Sequence, residues 1–341
     1  MRRHGARSSR FSSACSAGPT SPDLGSVWTL ARPLCTDDLL PKRPGDRDTI
    51  RTMRRIPRPL QSMKLLLAWM MPQGTSFQTY ATGSKLRFFV QCRDVIGRHI
   101  AKYGRFEPQL TDWIGEYLQN RPKGIVVDVG ANLGWHAVHA AQHASVTTVV
   151  AFEPDATNAW LLDRNLTIND IDKVVVYPCA VGAAVGHAHL HRYKRSNNGR
   201  HSLIKNYGLG SRMVPLTDVD SALDALGLEQ DRILLMKIDV EGFEPAVLAG
   251  AVKALERADA VITEYSPQLS RDGDLSVEGM VDRLLAAGFV PHQLAGTSSK
   301  AVRVELKDLR RIEDQTDILW IKLTTNGSPM AASAQAEPSA G

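Results

Sequence analysis

The chain is poor in the features that mark several functional classes. It has four cysteines in 341 residues, Cys15, Cys35, Cys92 and Cys179, and none sits in a Cys-x-x-Cys pair, which removes the usual spacing for zinc or dithiol chemistry and any disulfide framework. Cys179 follows the apolar stretch 174–178, where a cysteine serves as a small hydrophobe. A reducing, cytoplasmic compartment is therefore expected. No apolar run approaches the ~20 residues needed to cross a bilayer. The run from Leu65 to Met71 is cut off by Pro72 and is expected to be a helix packed on the core rather than a transmembrane segment. Positive charge is scarce once it is located. Of the formal +5, residues 1–58 hold 12 Lys/Arg against 5 Asp/Glu, leaving 29 against 31 for everything after. With no clustered basic and aromatic face, nucleic acid is not an expected partner.

What remains is an ordinary globular composition, 43% hydrophobic and 23% charged, long enough for a large core. Residues 1–60 are rich in Arg, Pro and Ser, without periodicity, and read as a disordered basic extension. A targeting peptide or translation assigned from too early a start, with Met53 and Met63 as alternatives, would leave the same composition. Residues 61–122 are expected to be a helical N-terminal part of the catalytic domain, 123–325 the domain proper, and 326–341 a Ser/Ala/Pro-rich tail.

Between these ends, strand and helix patterns alternate. Segments 125–128, 146–152, 174–177, 233–239 and 260–264 read as buried parallel strands, followed by strands near Val290 and at 318–323. Helices are expected at 156–168, 245–257 with Pro245 in the first turn, and 276–287 ending at Gly288. Such alternation predicts one doubly wound α/β sheet with helices on both faces. Residues 182–216 break the pattern with short polar segments, and an inserted hairpin or lid is expected there. His187, His189 and His191 would share one strand face, pointing to solvent or to a metal. The polar stretch 196–202 is a candidate for touching substrate.

The most informative residues lie where the first strand ends. Asp128 is followed by a sharp turn through Gly130 and Gly134, with Asn132 between them, into a helix beginning near Trp135. Glycines there let the backbone approach a ligand closely. A dinucleotide loop, Gly-x-Gly-x-x-Gly, would cradle a pyrophosphate, but Asp128 stands where its first glycine belongs. A carboxylate at that place repels phosphate and attracts a cation, which favours S-adenosyl-L-methionine over NAD. Glu153, ending the second strand, suits the ribose hydroxyls of either. Asp128, Gly130, Asn132, Gly134 and Glu153 are the expected cofactor residues, although both carboxylates could instead cap the helices that follow.

Methyl transfer to an oxygen requires an aligned acceptor and a group that takes up or offsets its proton. Ligands of open α/β sheets bind at the carboxyl ends of the strands. Asp239 and Glu241 leave the fourth strand there, with Lys237 on the same face as Asp239, and Glu264 leaves the fifth. Asp239 and Glu241 are the candidate catalytic residues. Glu241 and Glu244 could equally cap the next helix, and His136 could face the acceptor or pack in its helix. No metal site is assigned, although Asp239, Glu241 and Glu264 are oxygen ligands of the kind a divalent cation uses.

Three segments together resemble the FkbM family of S-adenosylmethionine-dependent methyltransferases: 128–134 (Asp-Val-Gly-Ala-Asn-Leu-Gly), 152–154 (Phe-Glu-Pro) and 237–244 (Lys-Ile-Asp-Val-Glu-Gly-Phe-Glu), with 104–108 similar to the family's upstream segment. The resemblance covers about 126–266. It implies a class I, Rossmann-like methyltransferase fold, a mostly parallel seven-stranded sheet whose last strand is antiparallel, and transfer to a hydroxyl of a sugar, glycan or secondary metabolite. Where family members often carry an acidic residue toward adenine, this chain reads Ala180-Val181-Gly182-Ala183, so that contact is unassigned. The competing readings are an NAD-dependent oxidoreductase and a non-catalytic nucleoside-binding domain. Oligomeric state is not legible.

Overall fold

The computed structural model describes residues 74–194 and 196–322. The basic extension, the run from Leu65 to Met71 and the C-terminal tail lie outside the described residues. Among the described residues no helix is long and apolar enough to cross a membrane.

The expected helical N-terminal part opens instead on an antiparallel hairpin, β1 (Ser76–Tyr80) and β2 (Arg87–Gln91). Its alternation is the reason: Phe88 and Val90 are fully buried while their neighbours are not, a period of two that a helix cannot bury on one face. Helices α1 (Val95–Tyr103), capped by Asp94 through the Gly97 amide at 2.8 Å, and α2 (Pro108–Leu118) follow.

The main sheet uses β3 (Gly124–Val129), β4 (Val146–Phe152), β5 (Val174–Tyr177), β9 (Ile233–Ile238), β10 (Ala260–Tyr265), β11 (Phe289–Leu294), β12 (Ala301–Arg303) and β13 (Thr316–Lys322). Their order is β12-β11-β13-β10-β9-β3-β4-β5. Five adjacent strands, β10, β9, β3, β4 and the edge strand β5, run parallel, and β13 lies antiparallel between β10 and β11. The sheet has eight strands rather than the expected seven, because the three-residue β12 pairs with the outer edge of β11. The β3 to β4 crossover is α3 (Trp135–Ala140), and β4 to β5 is α4 (Ala156–Ile168), capped by Asp155. Apolar side chains fill both faces, with Val126 and Leu235 in one core and Val127 and Met236 in the other, so each strand contributes alternately to two layers.

Residues 182–216 form the expected insertion. The short β6 (Ala180–Val181) pairs in parallel with β8 (Ser211–Thr217), which pairs antiparallel with β7 (Gly186–His191). His187 and His189 are exposed on β7 and Leu190 is buried beneath them. After α5 (Val219–Ala225) and β9, the single helix expected at 245–257 is broken into α6 (Glu244–Ala249) and α7 (Val252–Arg257). The break is at Gly250, where a Cβ would stand 2.2 Å from the Gly182 carbonyl oxygen. Helices α8 (Pro267–Asp272), α9 (Val277–Ala286) and α10 (Leu306–Leu309) complete the chain.

Candidate active site

The site is built on the carboxyl ends of β4, β3 and β9, three neighbours in the sheet. At the end of β3 the chain turns with Gly130 at φ 83°, Asn132 at 53° and Gly134 at 87°, and a Cβ on Gly130 would lie 1.9 Å from the Asp239 carbonyl oxygen. Only glycine fits that contact. The amides of Gly130 and Ala131 both donate to the Phe152 carbonyl at 2.9 Å, and Gly134 donates to Ala131. Asn132 donates from its amide to Glu153 Oε2 at 2.8 Å, while its Oδ1 accepts from the Leu133 amide at 2.7 Å. All five amides from Gly130 to Gly134 are thus engaged inside the protein. The donors that a dinucleotide loop offers to phosphate are already in use.

Asp128 does not line the cavity at this edge. It is buried, and neither carboxylate oxygen has a hydrogen-bond partner among the described residues. Burial pushes its carboxyl up, and Lys237, directly across from it in the β3/β9 register, opposes that shift. The place of Asp128 in the sequence suggested contact with a cation of the ligand. In the fold it supports the buried Lys237 ammonium instead. Burial alone would push Lys237 down, but Asp239, Asp128 and Glu107 outweigh it and hold the ammonium above the ordinary lysine range. Lys237 Nζ donates to Asp239 Oδ2 at 2.8 Å.

Glu153 ends β4 as expected and lines the cavity. Its two oxygens accept from the Asn132 and Asp155 amides at 2.8 and 2.7 Å. Burial and the nearby Asp155 push its carboxyl up to about 8 against those bonds.

The cavity is about 330 Å³ and runs from Cys179, Ala180 and Val181, past Glu153 and the glycine turn, to Lys237, Asp239, Glu241 and Glu264. Glu241 adopts φ 54°, a left-handed conformation that is strained for a non-glycine residue and is concentrated at functional sites. Its carboxylate lies 3.3 Å from Arg200 Nε and accepts from Gln315 at 3.5 Å. Burial raises its pKa and Asp239 adds to that, with Arg200 opposing. Gln315 also donates to Glu264. The Glu264 carboxyl is held well above its ordinary range, chiefly by burial and then by Asp239 and Glu241. Neither Glu241 nor Glu244 caps the next helix, which has no side-chain cap; Glu244 instead ties down the turn before it, its Oε1 accepting from the Val240 and Gly242 amides at 3.0 and 3.2 Å.

Two further elements close the cavity. Asn197 to His201 line it, held by the Asn198 amide on Asp94 at 3.0 Å and the Asn198 side chain on Gln91 at 2.6 Å. From the other side come Phe106 and Glu107, with Glu107 Oε2 2.8 Å from His136 Nε2.

The structure therefore brings Gly130, Asn132, Glu153, Asp239 and Glu241 to one cavity, sets Asp128 behind it, and packs Gly134 against Leu162 beneath the turn. Sequence reasoning does not select Glu107 or Gln315, and it reaches Arg200 only as one residue of the polar stretch 196–202, where the structure places it in a short 3-10 turn, Asn198–Arg200. Glu107 and Gln315 sit between elements, and only the Glu-Pro pair at 107–108 gives a local signal. No cluster of three or more His, Cys, Asp or Glu side chains among the described residues has the geometry to hold a metal ion.

The donor set fits S-adenosylmethionine. It has a carboxylate for ribose, a mixed-charge end for an amino acid, and no free amide cradle for phosphate. Residues 128–291 match the family model described as the methyltransferase FkbM domain. The chain is 26% identical over 143 residues to methyltransferase 1 of Beauveria bassiana, covering 37% of this chain and 57% of that protein. It is 24% identical over 184 residues to the 2-O-methyltransferase NoeI of Sinorhizobium fredii, covering 49% and 73%. The chain thus spans little more than half the length of the first of these relatives. Among solved structures, a SAM-dependent O-methyltransferase from Thermotoga maritima aligns with 76% of this chain and 81% of its own, at 13% identity and a TM-score of 0.33.

Proposed function

The chain carries a domain of the methyltransferase FkbM family, and on that premise we propose that it transfers the methyl group of S-adenosylmethionine to a hydroxyl oxygen of a sugar or similar polyhydroxylated acceptor. The observation that carries this reading is the glycine turn. Its five amides are spent on Phe152, Glu153, Asn132 and Ala131, while Glu153 stays at the cavity wall. Such a site takes a nucleoside by its ribose and offers nothing to a pyrophosphate, which counts against NAD.

When bound, the cofactor supplies an electrophilic methyl group on a sulfonium. The protein's part is to exclude water, align the acceptor oxygen and deal with its proton. Asp239, paired at 2.8 Å with the buried Lys237, is suited to accept a hydrogen bond from the acceptor hydroxyl and orient it. Glu241, which lines the same cavity and whose carboxyl burial pushes up, is suited to take up the proton. Arg200 and Gln315 hold it in place. The acceptor class draws on the name of the Sinorhizobium fredii relative, a 2-O-methyltransferase, and on the polar rim of Asn197, Asn198 and Arg200.

Calorimetry with adenosylmethionine, adenosylhomocysteine and NAD, followed by mass spectrometry of a glycan and metabolite panel incubated with adenosylmethionine, tests the proposal. Binding of the first two ligands and a 14-dalton gain on a hydroxylated acceptor are expected. NAD binding with no adenosylhomocysteine binding would sink it.

A further inference from the structure

Asp128 lies behind the cavity rather than in it, which leaves open what meets the positively charged end of the cofactor. Three observations converge on another residue. The strand order sets the cofactor's direction: with its ribose at Glu153 on β4, one end must lie toward β5 and the other toward β3 and β9. The β5 side is walled by Cys179, Ala180 and Val181, and the β9 side by Lys237, Asp239, His136 and Glu107. A flat base suits the first wall, and the zwitterionic amino-acid end needs the second.

Among the carboxylates on that side, Asp239 is already paired with the buried Lys237 ammonium. Glu107 is bonded through Oε2 to an imidazole, its side chain is about one-third exposed, and no other hydrogen bond from the described residues reaches it. It is held at φ 42° immediately before Pro108, a costly conformation of the kind kept at ligand clamps. Burial pushes its carboxyl up, yet the hydrogen bond and charge of His136, with Lys237 and His99 beyond, hold it below the ordinary range. It therefore stays an anion facing the cavity.

We propose that Glu107, oriented by His136, is the carboxylate that binds the α-ammonium group of the cofactor's methionine moiety. This rests on the methyltransferase reading above and deepens it. The site so defined takes a nucleoside carrying an amino-acid tail, and Glu107 is the residue that distinguishes the tail from its absence.

The experiment compares two ligands on the full chain. Adenosylhomocysteine carries the amino-acid end, and 5′-methylthioadenosine keeps the adenine, ribose and thioether but lacks it. By calorimetry, Glu107→Gln should weaken adenosylhomocysteine about tenfold or more, the scale of losing a charge-assisted contact. It should leave methylthioadenosine within about twofold, which also reports an intact fold. Equal weakening of both ligands would make Glu107 a structural residue and overturn the proposal. Unchanged binding of both, with or without loss of turnover, would overturn it as well. Failure of the wild-type protein to bind either nucleoside would instead sink the methyltransferase reading itself.

Discussion

Glu153→Gln in the ligand-free protein is expected to change the sign of its effect with pH. Burial, with Asp155 beside it, pushes the Glu153 carboxyl up to about 8 from an ordinary 4.5. The unfolded chain ionises this group near its ordinary value, and the folded chain holds the proton until about 8. Between those limits the folded state binds more protons, so its stability falls as pH rises. Each pH unit inside the window costs about 1.4 kcal/mol, or roughly 3 kcal/mol by neutral pH. Gln escapes that penalty but must turn its NH₂ toward one of two backbone donors, Asn132 or Asp155, forfeiting about 1 kcal/mol. Wild type should be the more stable protein near pH 4, the two should cross near pH 5, and the Gln variant should be the more stable by about 2 kcal/mol near pH 7. Urea denaturation at several pH values, with m-values checked for constancy, reads the difference directly. A stability difference that does not vary with pH would refute the reasoning. Saturating adenosylhomocysteine should erase the variant's advantage, because ribose hydroxyls are donors to an ionised carboxylate.

Asp239→Asn should keep adenosylhomocysteine binding and lose at least ~10²-fold in single-turnover methyl transfer once an acceptor is known; near-normal turnover would make this carboxylate only a partner for Lys237. Gly130→Ala places a Cβ 1.9 Å from the Asp239 carbonyl at φ 83°, so it should destabilise by about 3 kcal/mol or more in urea denaturation. A mild effect would mean that the β3 and β9 ends are not held so close. Asn165→Leu removes a buried side chain that accepts from the Phe89 amide at 2.5 Å and donates to the Leu133 carbonyl at 2.8 Å. Leaving those groups unpaired should cost about 2–4 kcal/mol and also weaken cofactor binding, since the glycine turn loses its tether to the hairpin; an affinity unchanged in calorimetry would separate the hairpin from the site.

The parallel core was readable from local sequence because each of its strands has one answer. Segments such as 146–152 and 174–177 are rich in β-branched residues and uncharged, so they read as strands, and β4 and β5 have those bounds, with β5 as the half-buried edge of the sheet. The glycine turn was equally plain, since positive φ at Gly130 and Gly134 leaves few alternatives to glycine. Glu153, Asp239 and Glu241 followed from their places at strand ends. The hairpin β1/β2 was missed because its edge is satisfied from 76 residues away, by Asn165 on α4, a partner that no local pattern announces. The break at Gly250 reflects the approach of Gly182 from the insertion.

The same limit governs the site. Whether a carboxylate at a strand end faces ligand or core depends on which neighbour fills the space before it. Asp128 is covered and meets Lys237 across the sheet, whereas Glu107, from a loop ahead of the domain's first parallel strand, reaches the cavity by way of His136. Backbone periodicity settles strands and turns locally, while charge pairing is settled in three dimensions. Burial makes an unpaired charge too costly to leave where the chain alone would have put it.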